Sequence, residues 1–240
     1  MKKMICVLLT VVMVLAMAAC ADENKESYEA AVAAYNGGYY EDAANKLAAL
    51  GDYKDAADLL ASITAEKAGV TTEVATAEGT VTTNVEYVFK NGNLIKENIT
   101  HADGAVTKNY YKFDKNNDCT SEILNQVDGS KININHFYEN GVIVRTVRTN
   151  ANGLKDTYTY TCDESGKITA HTLTLADGTV EEATYSYNEA GLLSVISTAT
   201  GTTTYEYNAF GDVVKEAVAE NGEVVSATTY AYVYTFVVAK

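Results

Sequence analysis

Three histidines, His101, His136 and His171, stand 35 residues apart each time. Imidazoles at a fixed interval invite a shared metal site or a proton relay. The chain, however, repeats with a period near 25, so the three fall at different places in their repeats, and His136 takes the place of an aromatic ring. The sequence therefore predicts no metal centre and no cofactor. Asp114-Lys115-Asn116-Asn117-Asp118 has the Asp-x-Asn-x-Asp opening of a calcium loop, but position six is Cys119 where Gly is needed and position twelve is Asn125 where Glu is needed. The same five residues fill a turn of the repeat, which already accounts for them. The 32 Asp and Glu supply carboxylates in quantity. No pair stands out as a glycosidase pair, and Glu181-Glu182 and Asp163-Glu164 read as solvated strand and turn residues. There is no phosphate loop, no Gly-x-Ser-x-Gly, no His-Glu-x-x-His and no Cys-x-x-Cys. The expectation is a protein that is not an enzyme.

Tyrosine is the residue type most open to a binding role. Its ring stacks on sugar faces and peptides, and its hydroxyl adds polar grip. Most of the tyrosines occupy paired positions where a cross-strand ladder is the simpler use. Tyr110, Tyr158 and Tyr234 are extra to the pairs and are the candidate exposed binding residues. The chain has no Trp, which weakens a sugar reading. Cys119 fills a slot held elsewhere by Leu94, Ile168 and Val213, and Cys162 fills an aromatic slot. They either pair or remain buried thiols. Two repeats of a flat sheet would hold them too far apart to bond.

The element that must position these residues is a β-repeat over residues 85–240. Its aromatic-x-aromatic pairs are Tyr87/Phe89, Tyr111/Phe113, His136/Tyr138, Tyr160/Cys162, Tyr185/Tyr187, Tyr205/Tyr207 and Tyr230/Tyr232. Each of the first six pairs is followed by a turn with Gly (Asn117 in one case), an apolar pair, and a second turn such as Asp103-Gly104, Asp128-Gly129 or Asn221-Gly222, and the last pair closes the array. Such dipeptides supply the positive φ that tight hairpins need. Alternate residues share a face, so both rings of a pair point the same way. Six repeats with two turns each predict about thirteen strands in a mainly β, antiparallel, curved or partly rolled sheet. Tyr185-Ser186-Tyr187-Asn188-Glu189-Ala190-Gly191-Leu192 and Tyr205-Glu206-Tyr207-Asn208-Ala209-Phe210-Gly211-Asp212-Val213 resemble the YD-repeat family of RHS-type surface proteins. Looser repeats such as Phe137-Tyr138-Glu139-Asn140-Gly141 are similar to antitoxin-type repeats. The resemblance implies an extracellular β-repeat scaffold, sometimes associated with carbohydrate, and no activity.

Ahead of the repeat, residues 25–67 have helical spacing. Tyr28, Ala31, Val32 and Tyr35 make one face, Tyr39, Ala43, Leu47 and Leu50 a second, and Tyr53, Ala56, Leu60 and Ile63 a third. Gly37-Gly38, Gly51 and Gly69 are the stops. The run from Tyr28 to Leu50 resembles a tetratricopeptide unit. Residues 68–84 read as a linker or first edge strand. The helical module is expected to cover a sheet edge.

The N-terminus sets the address. Lys2 and Lys3 precede an apolar stretch that ends in Ala18-Ala19-Cys20. This is the layout of a secretory signal over residues 1–19, too short for a comfortable membrane span. Ala-Ala-Cys resembles a bacterial lipobox, with Met17 where that family has Leu. The resemblance implies lipidation of Cys20, a tether over 20–24, and an extracytoplasmic protein anchored in the cell membrane or outer membrane. Net charge is −14. Loss of Lys2 and Lys3 with the signal leaves −16, which excludes nucleic acid as a partner. The function expected is a non-catalytic binding scaffold for a glycan or an envelope protein. The alternatives are a structural spacer and an antitoxin-like immunity protein.

Overall fold

The computed structural model describes residues 24–90 and 92–238. The signal and Cys20 lie outside the described residues, as does the tether apart from Asn24, which is helical. The chain divides into two compact units: Met1–Glu66 with Asn208–Phe210 and Thr235–Lys240, and Lys67–Tyr207 with Gly211–Tyr234.

In the first unit, α1 covers residues 24–36, α2 Tyr40–Leu50 and α3 Ala56–Ser62. The buried residues are Ala31, Ala34, Ala43, Ala44, Leu47, Ala56 and Ile63. Small alanines let the helix backbones approach, and larger side chains fill the rim. Tyr28, Tyr35, Tyr40, Phe210 and Phe236 surround this core. Phe236 packs on Tyr40 at 6.0 Å and on Phe210 at 5.7 Å between ring centroids. The Tyr35 hydroxyl bonds Ser62 at 2.8 Å. Tyr39 differs from the expected helical face. It stands just before α2, where the turn at Gly38 swings it outward to 71% exposure, and Tyr40 takes the inward place.

The third helix ends sooner than its spacing predicts. Ile63 begins a strand, β1 (Ile63–Thr76), and β2 (Gly79–Lys90) follows, so residues 68–84 form a hairpin and not a linker. Thr and Val dominate this stretch, and β-branched side chains fit a pleated surface better than a helix. The second unit continues as β3 (Asn93–Thr100), β4 (Val106–Phe113), β5 (Cys119–Asn125), β6 (Lys131–Glu139), β7 (Val142–Thr149), β8 (Lys155–Cys162) and β9 (Ile168–Thr174). It ends with β10 (Val180–Tyr187), β11 (Leu193–Thr198), β12 (Gly201–Tyr207), β13 (Val213–Glu220) and β14 (Glu223–Val238).

Each strand pairs antiparallel with the next, and β1 lies beside β14 in a closed barrel. The thirteen strands of the repeat are thus joined by a fourteenth, and the sheet has no open edge to be covered. Closure satisfies the backbone groups that an open edge would leave unpaired.

Alternation decides which face is inside. Along β6 exposed and half-buried residues alternate strictly, and His136 and Tyr138 lie on the covered side. Ala183, Tyr185 and Tyr187 do the same on β10. The ring face is therefore the inner face. It is not a dry core: among the described residues of this unit the buried hydrophobics are Val70 and Ala183. A barrel of this strand number is wider than the eight-stranded type that side chains fill.

One irregularity recurs. The register slips beside Phe89, Phe113, Tyr138, Cys162, Tyr187 and Tyr207, the second ring slot of each repeat. One extra residue on the returning strand makes a β-bulge each time, and bulges sharpen the curl of a sheet. The repeat thus carries its own curvature, which is what lets the array close.

Candidate functional site

The inner face is built in two levels. At the first, each leading ring stands opposite a fixed slot on the returning strand: Tyr87 to Glu97, Tyr111 to Glu122, His136 to Thr146, Tyr160 to His171, Tyr185 to Ile196 and Tyr205 to Glu216. Rings also reach back to the slot of the preceding repeat. The Tyr111 hydroxyl donates to Glu97 at 2.7 Å, His136 Nε2 bonds Glu122 at 2.9 Å, and the Tyr185 hydroxyl bonds His171 Nδ1 at 2.8 Å. His136 Nδ1 also bonds the buried Thr146 hydroxyl at 2.9 Å. A belt of phenols, carboxylates and imidazoles runs around the barrel.

At the second level the tyrosine hydroxyls serve the backbone. Tyr138, Tyr187, Tyr207 and Tyr232 donate to the carbonyls of Cys119, Ile168, Leu193 and Val213 at 2.6–3.0 Å. Those carbonyls belong to the residues just before the bulges, where the ladder is interrupted. Each hydroxyl supplies the partner that the bulge removes. Cys162 occupies the same slot and points its thiol at the Ile143 carbonyl at 3.7 Å. Bonding explains why this slot prefers Tyr to Phe, a distinction periodicity cannot make.

Burial sets the proton affinities of this face. Tyr185, Tyr205 and Tyr232 are pushed up to about 12, chiefly by desolvation, and Tyr87 and Tyr111 are raised further. Desolvation also holds His171 below its usual range, against an opposing pull from Glu181. The inner phenols remain neutral donors through the physiological range.

The candidate binding residues separate. Tyr110 is on the outer face, 43% exposed, between Lys96 and Ile123 on the neighbouring strands. Tyr158 and Tyr234 are not exposed as expected. Both are half-buried on the inner face: Tyr158 stacks on Tyr160 and meets His171 edge-on, and Tyr234 donates to Asp212 at 2.9 Å and packs on Tyr232. Each is simply two residues along the strand from a paired ring, so it shares that ring's face.

The outer face around Tyr110 was not legible as a unit. Lys96, Lys108, Lys112, Lys131 and Arg145 alternate with inner residues on four strands, β3, β4, β6 and β7. Phe137 lies among them with Arg145 over its ring at 4.1 Å. Among the described residues none of these five cations forms an ion pair. A local basic, aromatic surface thus sits on a chain of net charge −14.

The three histidines sit in different settings: His101 bonds Thr107 beside a turn, and His136 and His171 lie in the belt. Asp114, the first residue of the calcium-like run, spends its Oδ1 on the amides of Asn116 and Asp118 at 2.8 and 3.0 Å. Asp163 closes the equivalent turn in the same way, with its carboxyl held below the usual range by the Ser165 hydroxyl first and then by the amides of Lys167 and Ser165. Glu181 and Glu182 line a shallow cleft of about 700 Å³ between β10 and β11. Cys119 and Cys162 are free thiols. Among the described residues one group could hold a metal: Cys119, Glu122 and His136, whose donor atoms all lie within 4.8 Å of one another. The sequence marked Cys119 and His136 singly as departures from the repeat, but register alone brings them together.

Residues 187–224 match the RHS Repeat family. The matched stretch runs from the end of β10 to the start of β14; it contains Tyr205-Glu206-Tyr207-Asn208 in full and begins at the second ring, Tyr187, of the other closest sequence. No curated protein matches the chain in sequence. Among solved structures, the chain is similar to a porin-like protein from Bacteroides vulgatus (14% identity, 71% of this chain and 99% of that one, TM-score 0.42). A porin-like protein from Bacteroides uniformis is similar at 11% identity (70% and 98%, TM-score 0.38). The Photorhabdus luminescens Tc holotoxin pore is similar at 12% identity over 57% of this chain and 9% of that one, with a TM-score of 0.22.

Proposed function

We propose that this protein is an extracytoplasmic lipoprotein, anchored through Cys20, whose barrel binds an anionic partner on its outer face without catalysis. The observation that carries the reading is the exposed Tyr110 set among Lys96, Lys108 and Lys112 on strands β3 and β4. An aromatic ring for stacking beside cations suits an acidic sugar polymer, which offers flat faces and carboxylate or sulfate groups. The lipid of Cys20, with the short tether behind it, would keep the barrel at the membrane surface. Among the described residues no helix is long and apolar enough to cross a membrane. An outward-facing Lys or Arg disfavours lipid contact, by about 2–4 kcal/mol at a bilayer midplane and less towards the strand ends, and five cations face outward on β3, β4, β6 and β7.

The test is a glycan array probed with the purified protein at low and moderate salt. Binding to acidic glycans is expected, weakening as salt screens the charges. Tyr110→Ala and Lys112→Glu should each lower affinity tenfold or more with the melting temperature unchanged. Binding confined to an acidic envelope protein would replace the glycan and keep the face. Absence of binding to both, in a folded protein, would overturn the reading in favour of a spacer.

A further inference from the structure

A repeat states what each slot ordinarily holds, so each departure can be weighed. The leading ring slot is tyrosine in every repeat except one, where it is His136. The first slot of the returning strand is Leu, Ile or Val except in one repeat, where it is Cys119. The scaffold needs neither change: imidazole fills the ring slot less well, and a thiol packs less apolar surface than an aliphatic chain. These two departures fall on neighbouring strands, β5 and β6, and meet at Glu122. Unrelated drift has no reason to place three different metal-donor types within 4.8 Å.

We propose that Cys119 Sγ, Glu122 Oε1 and His136 Nε2 form a binding site for a divalent transition metal of the zinc class. Sulfur and imidazole donors select such ions over magnesium and calcium. Three protein ligands leave a fourth position for water or an exchangeable ligand. All three side chains are half-buried on the inner face, so the open position faces the lumen. Metal–ligand bonds of about 2.0–2.3 Å imply donor separations of about 3.3–3.6 Å. His136 Nε2 and Glu122 Oε1 already stand 2.9 Å apart, so the site needs that pair to open slightly and the thiol to swing inward by a rotamer change.

Thr146 completes the arrangement as a positioning residue. Its hydroxyl lies 2.9 Å from His136 Nδ1 and is buried. A hydroxyl both donates and accepts. Without metal it donates to Nδ1, and Nε2–H donates to Glu122. With metal it accepts from Nδ1–H, which frees the Nε2 lone pair for the ion. The thiol proton of Cys119 leaves to solvent, so one proton is released per ion bound.

Cobalt titration of the purified, reduced protein reads the site directly. The expected result is a sulfur-to-cobalt charge-transfer absorption with four-coordinate ligand-field bands, saturating at about one ion per chain and displaced by zinc. Cys119→Leu and His136→Tyr restore the residues that other repeats carry, so both should fold. The first should abolish the charge-transfer band, and the second should weaken cobalt binding at least tenfold. Thr146→Val should weaken it about 10–100-fold. Cys162→Tyr, also a return to the repeat, should leave the spectrum unchanged. Absence of the band at saturating cobalt, or its survival in Cys119→Leu, would overturn the proposal.

Discussion

At the scale of single residues, the tyrosine hydroxyl is the group that separates this barrel from a merely hydrophobic one. Tyr187 donates to the Ile168 carbonyl at 2.6 Å, and Tyr207 to that of Leu193 at 2.7 Å. Removing the hydroxyl leaves a half-buried carbonyl without its partner, which costs about 1–2 kcal/mol. Tyr187→Phe and Tyr207→Phe should therefore lower the melting temperature by about 2–8 °C. A thermal melt followed by circular dichroism checks this, and an unchanged midpoint would mean that water replaces the bond at no cost. The ring slots themselves were legible, because a two-residue period is local. The hydroxyl's job was not, because the carbonyl it serves lies 14 or 19 residues back and is exposed only by a bulge. Tyr158 and Tyr234 teach the same lesson: being extra to a pair suggested exposure, whereas the alternation of the strand put them inside.

At the scale of the hairpin, the repeat that is 20 residues long shows what sets the period. Its second turn, around Thr200-Gly201, is shortened: the Thr198 hydroxyl accepts from the Gly201 amide at 3.1 Å, and β12 starts at once. Gly201 does not have a left-handed backbone there. Glycine is required because a Cβ would come within 2.3 Å of the Ala219 carbonyl oxygen. Gly201→Ala should push β12 from β13 and cost about 1–3 kcal/mol, the range for overpacking. Chemical denaturation should show the loss as a lower midpoint with an unchanged slope; a neutral result would mean that the strands part freely at this corner. Four of the other second turns close on a left-handed glycine, as at Gly104 with φ 83°, and Asn221-Gly222 is a two-residue turn with both φ positive. Asn117 takes that conformation at φ 74° in the one first turn without glycine. Asn is the side chain that tolerates it best, which is why the missing glycine did not hide the turn from the sequence.

At the scale of the whole barrel, the inner phenols make stability depend on alkaline pH. Tyr185, Tyr205 and Tyr232 sit near 12 when folded, against 10.0 when unfolded. A folded value raised in this way favours the protonated, folded state. That contribution is complete below pH 10 and declines as pH rises towards 12, where the unfolded chain ionises and the barrel resists. Melting temperatures should hold steady up to about pH 10 and fall steeply above it. Phenolate absorbance should appear together with loss of the β-sheet signal. Phenolate forming fully before the sheet is lost would show that the inner face is open to hydroxide without unfolding.

The sequence by itself determined the repeat, its turns, its ring slots and the strand count of the array, because each depends on neighbours within about ten residues: period-two alternation, glycine at turns, and β-branched content. Tertiary structure decided closure. Residues 68–84 had no large side chain to mark them as part of the array, and only the pairing of β1 with β14 turned a curved sheet into a barrel. It also decided the two surfaces proposed to bind. The cations around Tyr110 come from four strands, and Cys119, Glu122 and His136 meet across a strand boundary. Register is a long-range property: a slip of one residue would send each of these side chains to the opposite face, and nothing in a short window of sequence records which register wins.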